Sequence, residues 1–123
     1  MSVGTTGTSQ DPRAVAEAYF QSWERKDFDT LRSLLHEAVT FRGPLGEADG
    51  VEDCLAGLQG MAQSITEIRI LMMAVHGNDV LTWYDLYTEG LPPVPTVNWS
   101  HVEDGRIARI RATFDPRPLL GAG

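Results

Sequence analysis

A chain of 123 residues, 42% hydrophobic and 22% charged, is long enough for one domain with a real core and too short for two. Its formal net charge of -7, with no block of lysines or arginines, makes nucleic acid and anionic membrane surfaces poor partners. The single cysteine, Cys54, excludes an intrachain disulfide, no apolar run approaches spanning length, and the N-terminus lacks a signal peptide's basic and apolar regions; the expectation is a cytoplasmic protein.

Residues 1–10 are Gly, Ser and Thr with almost nothing to bury, and read as a disordered tail before a single domain over 11–118 and a short tail over 119–123. Asp11-Pro12 reads as an N-cap followed by proline at the first helical position. Val15, Ala16, Tyr19, Phe20 and Trp23 then recur at helical spacing. Asp27 caps a second, short helix carrying Phe28, Leu31, Leu34 and Leu35 on one face. The run 38–42 is a short strand, which Gly43-Pro44-Leu45-Gly46 breaks. Asp49 with Glu52 resembles a capping box for a third helix, striped by Val51, Cys54, Leu55, Leu58, Met61, Ala62 and Ile65 and weakened by Gly57 and Gly60.

From Thr66 the period changes from helix to strand. Strands are expected over 66–75, 80–89, 94–102 and 107–114, with turns at His76-Gly77-Asn78-Asp79 and Glu103-Asp104-Gly105-Arg106 and an interruption at Gly90-Leu91-Pro92-Pro93. Asp115-Pro116-Arg117-Pro118 ends regular structure. Helices first and antiparallel strands after argue an α+β fold, with helices packed on one face of a curved sheet.

Pairing across Asp104-Gly105 sets His101 opposite Ala108, Trp99 opposite Ile110 and Val97 opposite Ala112. Pairing across Gly77-Asn78 sets Ala74 with Leu81, Met72 with Trp83 and Ile70 with Asp85. With Asn98, Ser100, Arg109 and Arg111 assigned to the solvent face, the inner wall holds Trp83, Asp85, Tyr87, Trp99, His101 and Phe114. The outer face then carries an apolar band of Leu71, Met73, Val80, Tyr84 and Leu86, which predicts a homodimer formed sheet to sheet. The alternative is a band partly covered by the C-terminal tail.

Asp85 is the leading candidate for chemistry. A carboxylate desolvated among aromatics has a raised pKa and suits a general base; the alternative is a structural acid held by hydrogen bonds. His101 is a candidate second acid/base, or an ordinary rim histidine. Tyr19 is placed to offer its hydroxyl to an oxyanion if that hydroxyl has no other partner. Trp23, Phe41, Trp83, Tyr87, Trp99 and Phe114 suit a pocket for a small apolar ligand, or plain core. His36, His76 and His101 lie on different elements without ligand spacing, so no metal is expected, and no cofactor motif is present. Cys54 reads as core.

The segments Ala14-Val15-Ala16-Glu17-Ala18-Tyr19, Asp27-Phe28-Asp29-Thr30-Leu31, Phe41-Arg42-Gly43-Pro44-Leu45-Gly46 and Asp104-Gly105-Arg106-Ile107 through Phe114-Asp115-Pro116 follow one another as in the nuclear-transport-factor-2-like superfamily, which the chain resembles. That superfamily includes SnoaL-like cyclases, ketosteroid isomerases and limonene-epoxide hydrolases. The resemblance implies a cystatin-like fold, a cone-shaped barrel of curved, mostly antiparallel sheet around three N-terminal helices, with a deep apolar cavity and often a dimer. It also implies an oxyanion-hole tyrosine at Tyr19. The isomerases' base falls on Gly43, and their second acid falls near Asn98 or Trp99. The hydrolases' Arg-x-Asp pair reads Trp83-Tyr84-Asp85, and their last-strand acid falls on Ala112. Two functions follow as expectations. One is a cofactor-independent isomerase, cyclase or hydrolase of a small apolar carbonyl or epoxide compound, using Asp85 with Tyr19 or His101. The other is a non-catalytic ligand-binding or dimerisation module of the same fold.

Overall fold

The computed structural model describes residues 11–120, so the expected tail over 1–10 and the last three residues lie outside it. Helix α1 (Pro12–Arg25) has Asp11 as N-cap and proline in its first turn. It ends at Lys26, whose left-handed backbone (φ 61°) lets its N–H return to the helix carbonyls. Asp27 then accepts a hydrogen bond from the Thr30 backbone N–H and starts α2 (Phe28–Ser33). The chain continues through β1 (Leu35–Gly43), β2 (Gly46–Asp49), α3 (Val51–Ala62), β3 (Ile65–His76), β4 (Asp79–Thr88), β5 (Val94–Glu103), β6 (Arg106–Thr113) and α4 (Arg117–Leu120).

The fold is α+β, with a curved, open six-stranded sheet in the order β2-β1-β6-β5-β4-β3. β1 runs parallel to β6, and every other neighbouring pair is antiparallel. The helices lie against one face. Val15, Tyr19, Phe20 and Trp23 of α1 and Cys54, Leu55 and Leu58 of α3 join Leu86, Val94, Val102, Ile107 and Ile110 of the sheet in one core. Trp23 Nε1 donates to the Leu58 carbonyl at 2.9 Å, which ties α1 to α3 and satisfies a buried donor.

Strand β3 is an edge, and polar side chains at α1 cover much of its free backbone. Arg13 donates to the Met73 carbonyl (2.8 Å), Glu24 accepts from the Ile68 N–H (2.7 Å), and Lys26 donates to the Ile65 carbonyl (3.2 Å).

Several expectations are corrected. Gly43-Pro44-Leu45-Gly46 turns a hairpin, and β2 follows it. Gly50, not Asp49, is the N-cap of α3, and Asp49 instead pairs with Arg42 at 2.9 Å. Asp115-Pro116 leads into the short α4.

The largest correction concerns which face of the sheet is inside. β4 buries Val80, Thr82, Tyr84, Leu86 and Thr88, and β5 buries Val94, Thr96, Asn98, Ser100 and Val102. Trp83, Asp85, Tyr87, Trp99 and His101 therefore lie on the outer face. Tyr84, Leu86 and Val80 are removed from the expected outer band, and so is Met73, which pairs with the buried Thr82 and packs against the core. One bulge explains the exchange, and another changes a single pairing. A bulge between His101 and Val102 shifts β6, so that Trp99 faces Arg111 and Asn98 faces Ala112. A second, between Ile70 and Met72, sets Ile70 opposite Tyr84 and not Asp85, although Ala74 with Leu81 and Met72 with Trp83 pair as expected. The polar residues that argued for a solvent face are satisfied inside: Ser100 Oγ donates to Asn98 Oδ1 at 2.9 Å and Thr96 Oγ1 to the Val94 carbonyl at 3.0 Å.

Candidate functional site

With that face inward, α1 and the sheet enclose a small chamber. α1 contributes Tyr19 and Trp23, β1 contributes Phe41 and Gly43, β4 contributes Tyr84 and Leu86, and β5 contributes Thr96 and Asn98; Ala112, Phe114 and Met61 complete the wall. Its volume is about 30 Å³, room for roughly two waters. Beside it, between the β1–β2 hairpin and α3, lies a cleft of about 290 Å³. Both are lined by Phe41, Leu45, Gly46 and Met61, so chamber and cleft lie side by side with these four residues between them.

The Tyr19 hydroxyl is the chemically distinctive group. Tyr19 is only 1% exposed, and its hydroxyl has no hydrogen-bond partner. Thr88 Oγ1 shares that condition but does not line the chamber. Neighbouring aromatics fix the ring: Phe20 meets it edge-on with centroids 5.0 Å apart, and Trp23 lies tilted at 6.1 Å. Burial, then the nearby Cys54 and Tyr84, push its pKa well above the ordinary value. It therefore keeps its proton and is poised to donate. Burial likewise raises the Tyr84 phenol, and pushes the Cys54 thiol up to about 11. Among the described residues, none lining the chamber is an Asp, Glu, His, Lys or Arg.

The structure thus brings together Tyr19, Trp23, Phe41 and Phe114 of the expected site and separates the rest from it. On the outer face, Asp85 sits opposite Arg69 on β3 and Pro95 on β5. The Arg69 guanidinium lies 5.2 Å from the Tyr87 ring centroid. His101 stands between two acids, with Nδ1 2.8 Å from Asp79 and Nε2 3.3 Å from Glu103, and Trp99 Nε1 donates to Asp79 at 3.1 Å. That network ties neighbouring strands together on the face turned away from the helices. Sequence reasoning missed Tyr84, Thr96 and Asn98. A signal for them existed: Val94 and Val102 share Asn98's period-2 set and bracket it with apolar residues. Among the described residues, no group of three His, Cys, Asp or Glu side chains is placed to hold a metal, and no helix is long and apolar enough to cross a membrane.

The sequence profile of the SnoaL-like domain matches residues 16–110. The chain is a SnoaL-like domain. It belongs to the nuclear-transport-factor-2-like superfamily, as the order of its motifs implied. A comparison with curated proteins finds no match. Among solved structures, a protein from Kribbella flavida is 26% identical with TM-score 0.84, over 95% of this chain and 94% of that one. An NTF2-like protein of unknown function from Cytophaga hutchinsonii is 26% identical with TM-score 0.82, over 94% and 99%. An LEH-like epoxide hydrolase from M. tuberculosis, 22% identical with TM-score 0.76 over 94% and 90%, shares the fold. Of the positions that the resemblance aligned with catalytic acids, Gly43, Asn98 and Ala112 line the chamber and none of these is an acid, whereas Asp85, which is one, and Trp99, the alternative to Asn98, lie on the outer face.

Proposed function

We propose that this SnoaL-like domain binds a small, mostly apolar molecule through one oxygen, which accepts a hydrogen bond from Tyr19. The observation that carries this reading is the Tyr19 hydroxyl itself. A buried hydroxyl without a partner costs roughly 1–3 kcal/mol, which a ligand oxygen would offset on binding. The ring is held by its neighbours, so the donor is in place beforehand. Trp23, Phe41, Leu86 and Phe114 supply apolar contact, and the Asn98 and Thr96 side chains add polarity to the wall.

The test is calorimetric titration of wild type and Tyr19→Phe with a short methyl ketone and with the alkane of the same length. Ketone binding at least about tenfold weaker in the variant, with alkane binding unchanged, supports the reading; equal ketone binding refutes it.

The cofactor-independent isomerase, cyclase or hydrolase reading draws on the same hydroxyl, since a donor that keeps its proton would also polarise a carbonyl or epoxide oxygen. Asp85, which faces away from the chamber, is not its base. The carboxylates that border the site are Asp53 and Glu47, at the cleft. Product formation abolished by Tyr19→Phe together with Asp53→Asn or Glu47→Gln would favour it over simple binding.

Self-association through the outer sheet face is also proposed, with its residues revised. Met72, Leu81 and Trp83 there are 64%, 50% and 41% exposed, and Leu71 of the original band is also exposed.

A further inference from the structure

The chamber and the cleft together constrain the shape and charge of the ligand. The chamber admits only the tip of a molecule: about 30 Å³ accommodates a carbonyl group and little more. The cleft beside it is about 290 Å³, close to the lower end of ordinary small-molecule sites, and it meets the chamber at Phe41, Leu45, Gly46 and Met61. Its wall is largely apolar, formed by Phe41, Leu45, Leu58 and Met61.

Gly57 lies in the middle of α3 and lines this cleft. A Cβ built there meets nothing within 4 Å, so no packing contact explains the missing side chain. Its bareness leaves the cleft wide. Gly60, one turn on, is equally unencumbered but lines neither chamber nor cleft. The border of the cleft carries Asp53 and Glu47, both exposed. Glu47 has only a loose pairing with Arg42, at 3.8 Å. The field at the mouth is therefore negative.

Resting on the reading of Tyr19 given above, we propose that the ligand is elongated. Its oxygen-bearing end reaches Tyr19, and its apolar chain lies along the cleft between α3 and the hairpin. Gly57 sets the length accepted, and Asp53 with Glu47 excludes an anionic far end. The class is a long-chain carbonyl compound with a neutral or cationic terminus.

The experiment uses calorimetric titration of the full chain with 2-pentanone, 2-undecanone and the ω-carboxylate analogue of the latter. Each buried methylene gives up to about fourfold in affinity, so wild type should bind 2-undecanone at least about tenfold tighter than 2-pentanone. Gly57→Leu should weaken 2-undecanone at least about tenfold and leave 2-pentanone within about twofold. Gly60→Leu, the matched helix substitution, should move neither. The carboxylate should bind at least about tenfold more weakly than 2-undecanone, and Asp53→Asn with Glu47→Gln should recover most of that loss. Circular dichroism reports folding, and Gly57→Ala serves as the milder variant, with a smaller loss in the same direction.

Equal effects of the Gly57 and Gly60 substitutions, or no dependence on chain length, overturn the cleft assignment even where Tyr19→Phe still abolishes binding of 2-pentanone. Tight binding of the carboxylate overturns the charge assignment. If 2-pentanone binding is indifferent to Tyr19→Phe while the Gly57 effect on 2-undecanone holds, the reading of Tyr19 fails and the cleft stands.

Discussion

Removing the Tyr19 hydroxyl should make the unliganded protein more stable while it weakens ligand binding. In most buried tyrosines the change to phenylalanine breaks a hydrogen bond and destabilises. Here the hydroxyl is buried and unpartnered, on a ring packed at 5.0 Å against Phe20 and 6.1 Å against Trp23. Phenylalanine keeps that ring and its packing, so the substitution removes mainly the desolvation cost of an unpaired hydroxyl, roughly 1–3 kcal/mol. The chamber has room for a water that would offset part of this. The net gain should then be about 1 kcal/mol, or roughly 4 °C in Tm for a domain of this size. Urea denaturation of ligand-free wild type and Tyr19→Phe measures it, with an unchanged m-value as the check that only the native state has changed. A loss of 1 kcal/mol or more would mean that the hydroxyl already has a partner in the free protein, and the case for a waiting donor would collapse.

Other consequences follow from particular contacts. Glu24→Ala should cost about 1–2 kcal/mol, because it strips the acceptor from the Ile68 N–H on an edge strand; denaturation beside Glu17→Ala, an exposed site on the same helix, checks it. The Cys54 thiol, buried and pushed up to about 11 by that burial, should react with iodoacetamide at pH 8 at least about tenfold more slowly than an ordinary thiol, and at the ordinary rate in denaturant. His101 beside Asp79 holds that carboxyl below its ordinary range. Asp79 therefore stabilises the fold fully above the unfolded value of about 3.9. The contribution is lost as pH falls through the lower folded value, so Tm scans between pH 6 and pH 2 should fall less steeply at the acid end in Asp79→Asn. Leu81→Glu with Trp83→Glu should lower the sedimentation mass of any dimer to that of a monomer without unfolding it, whereas an unchanged dimer would place the interface elsewhere.

The helices and the four long strands were legible because each has a strong local cause. Asp27 caps α2, Val15 to Trp23 stripe α1, and Asp104-Gly105 turns the last hairpin. The inner face was not legible, since both period-2 sets of β4 mix large apolar and polar residues. Trp83 and Leu81 on one side look as core-like as Tyr84 and Leu86 on the other. The deciding feature was a single bulge at His101/Val102, which sets Arg109 and Arg111 beside His101 and Trp99 on the outer face and leaves Asn98 and Ser100 inside, opposite Ala112 and Ile110. Nothing local in the sequence marks that bulge. Ser100 and Asn98 are buried together and Ser100 donates to Asn98, which alternation rules cannot anticipate. Tyr19 survived the error because it sits on a helix, where the stripe alone places it inside.

The most direct test of the site is the tyrosine Cζ resonance, followed by NMR in protein labelled at that carbon while a short methyl ketone is titrated. The chain has 3 tyrosines, and they differ sharply in setting: Tyr19 unpartnered in the chamber, Tyr84 in its wall, and Tyr87 on the outer face. A saturable shift carried mainly by the resonance that disappears in Tyr19→Phe is the predicted result. A shift confined to Tyr84 or Tyr87, or none at saturating ketone, would contradict it.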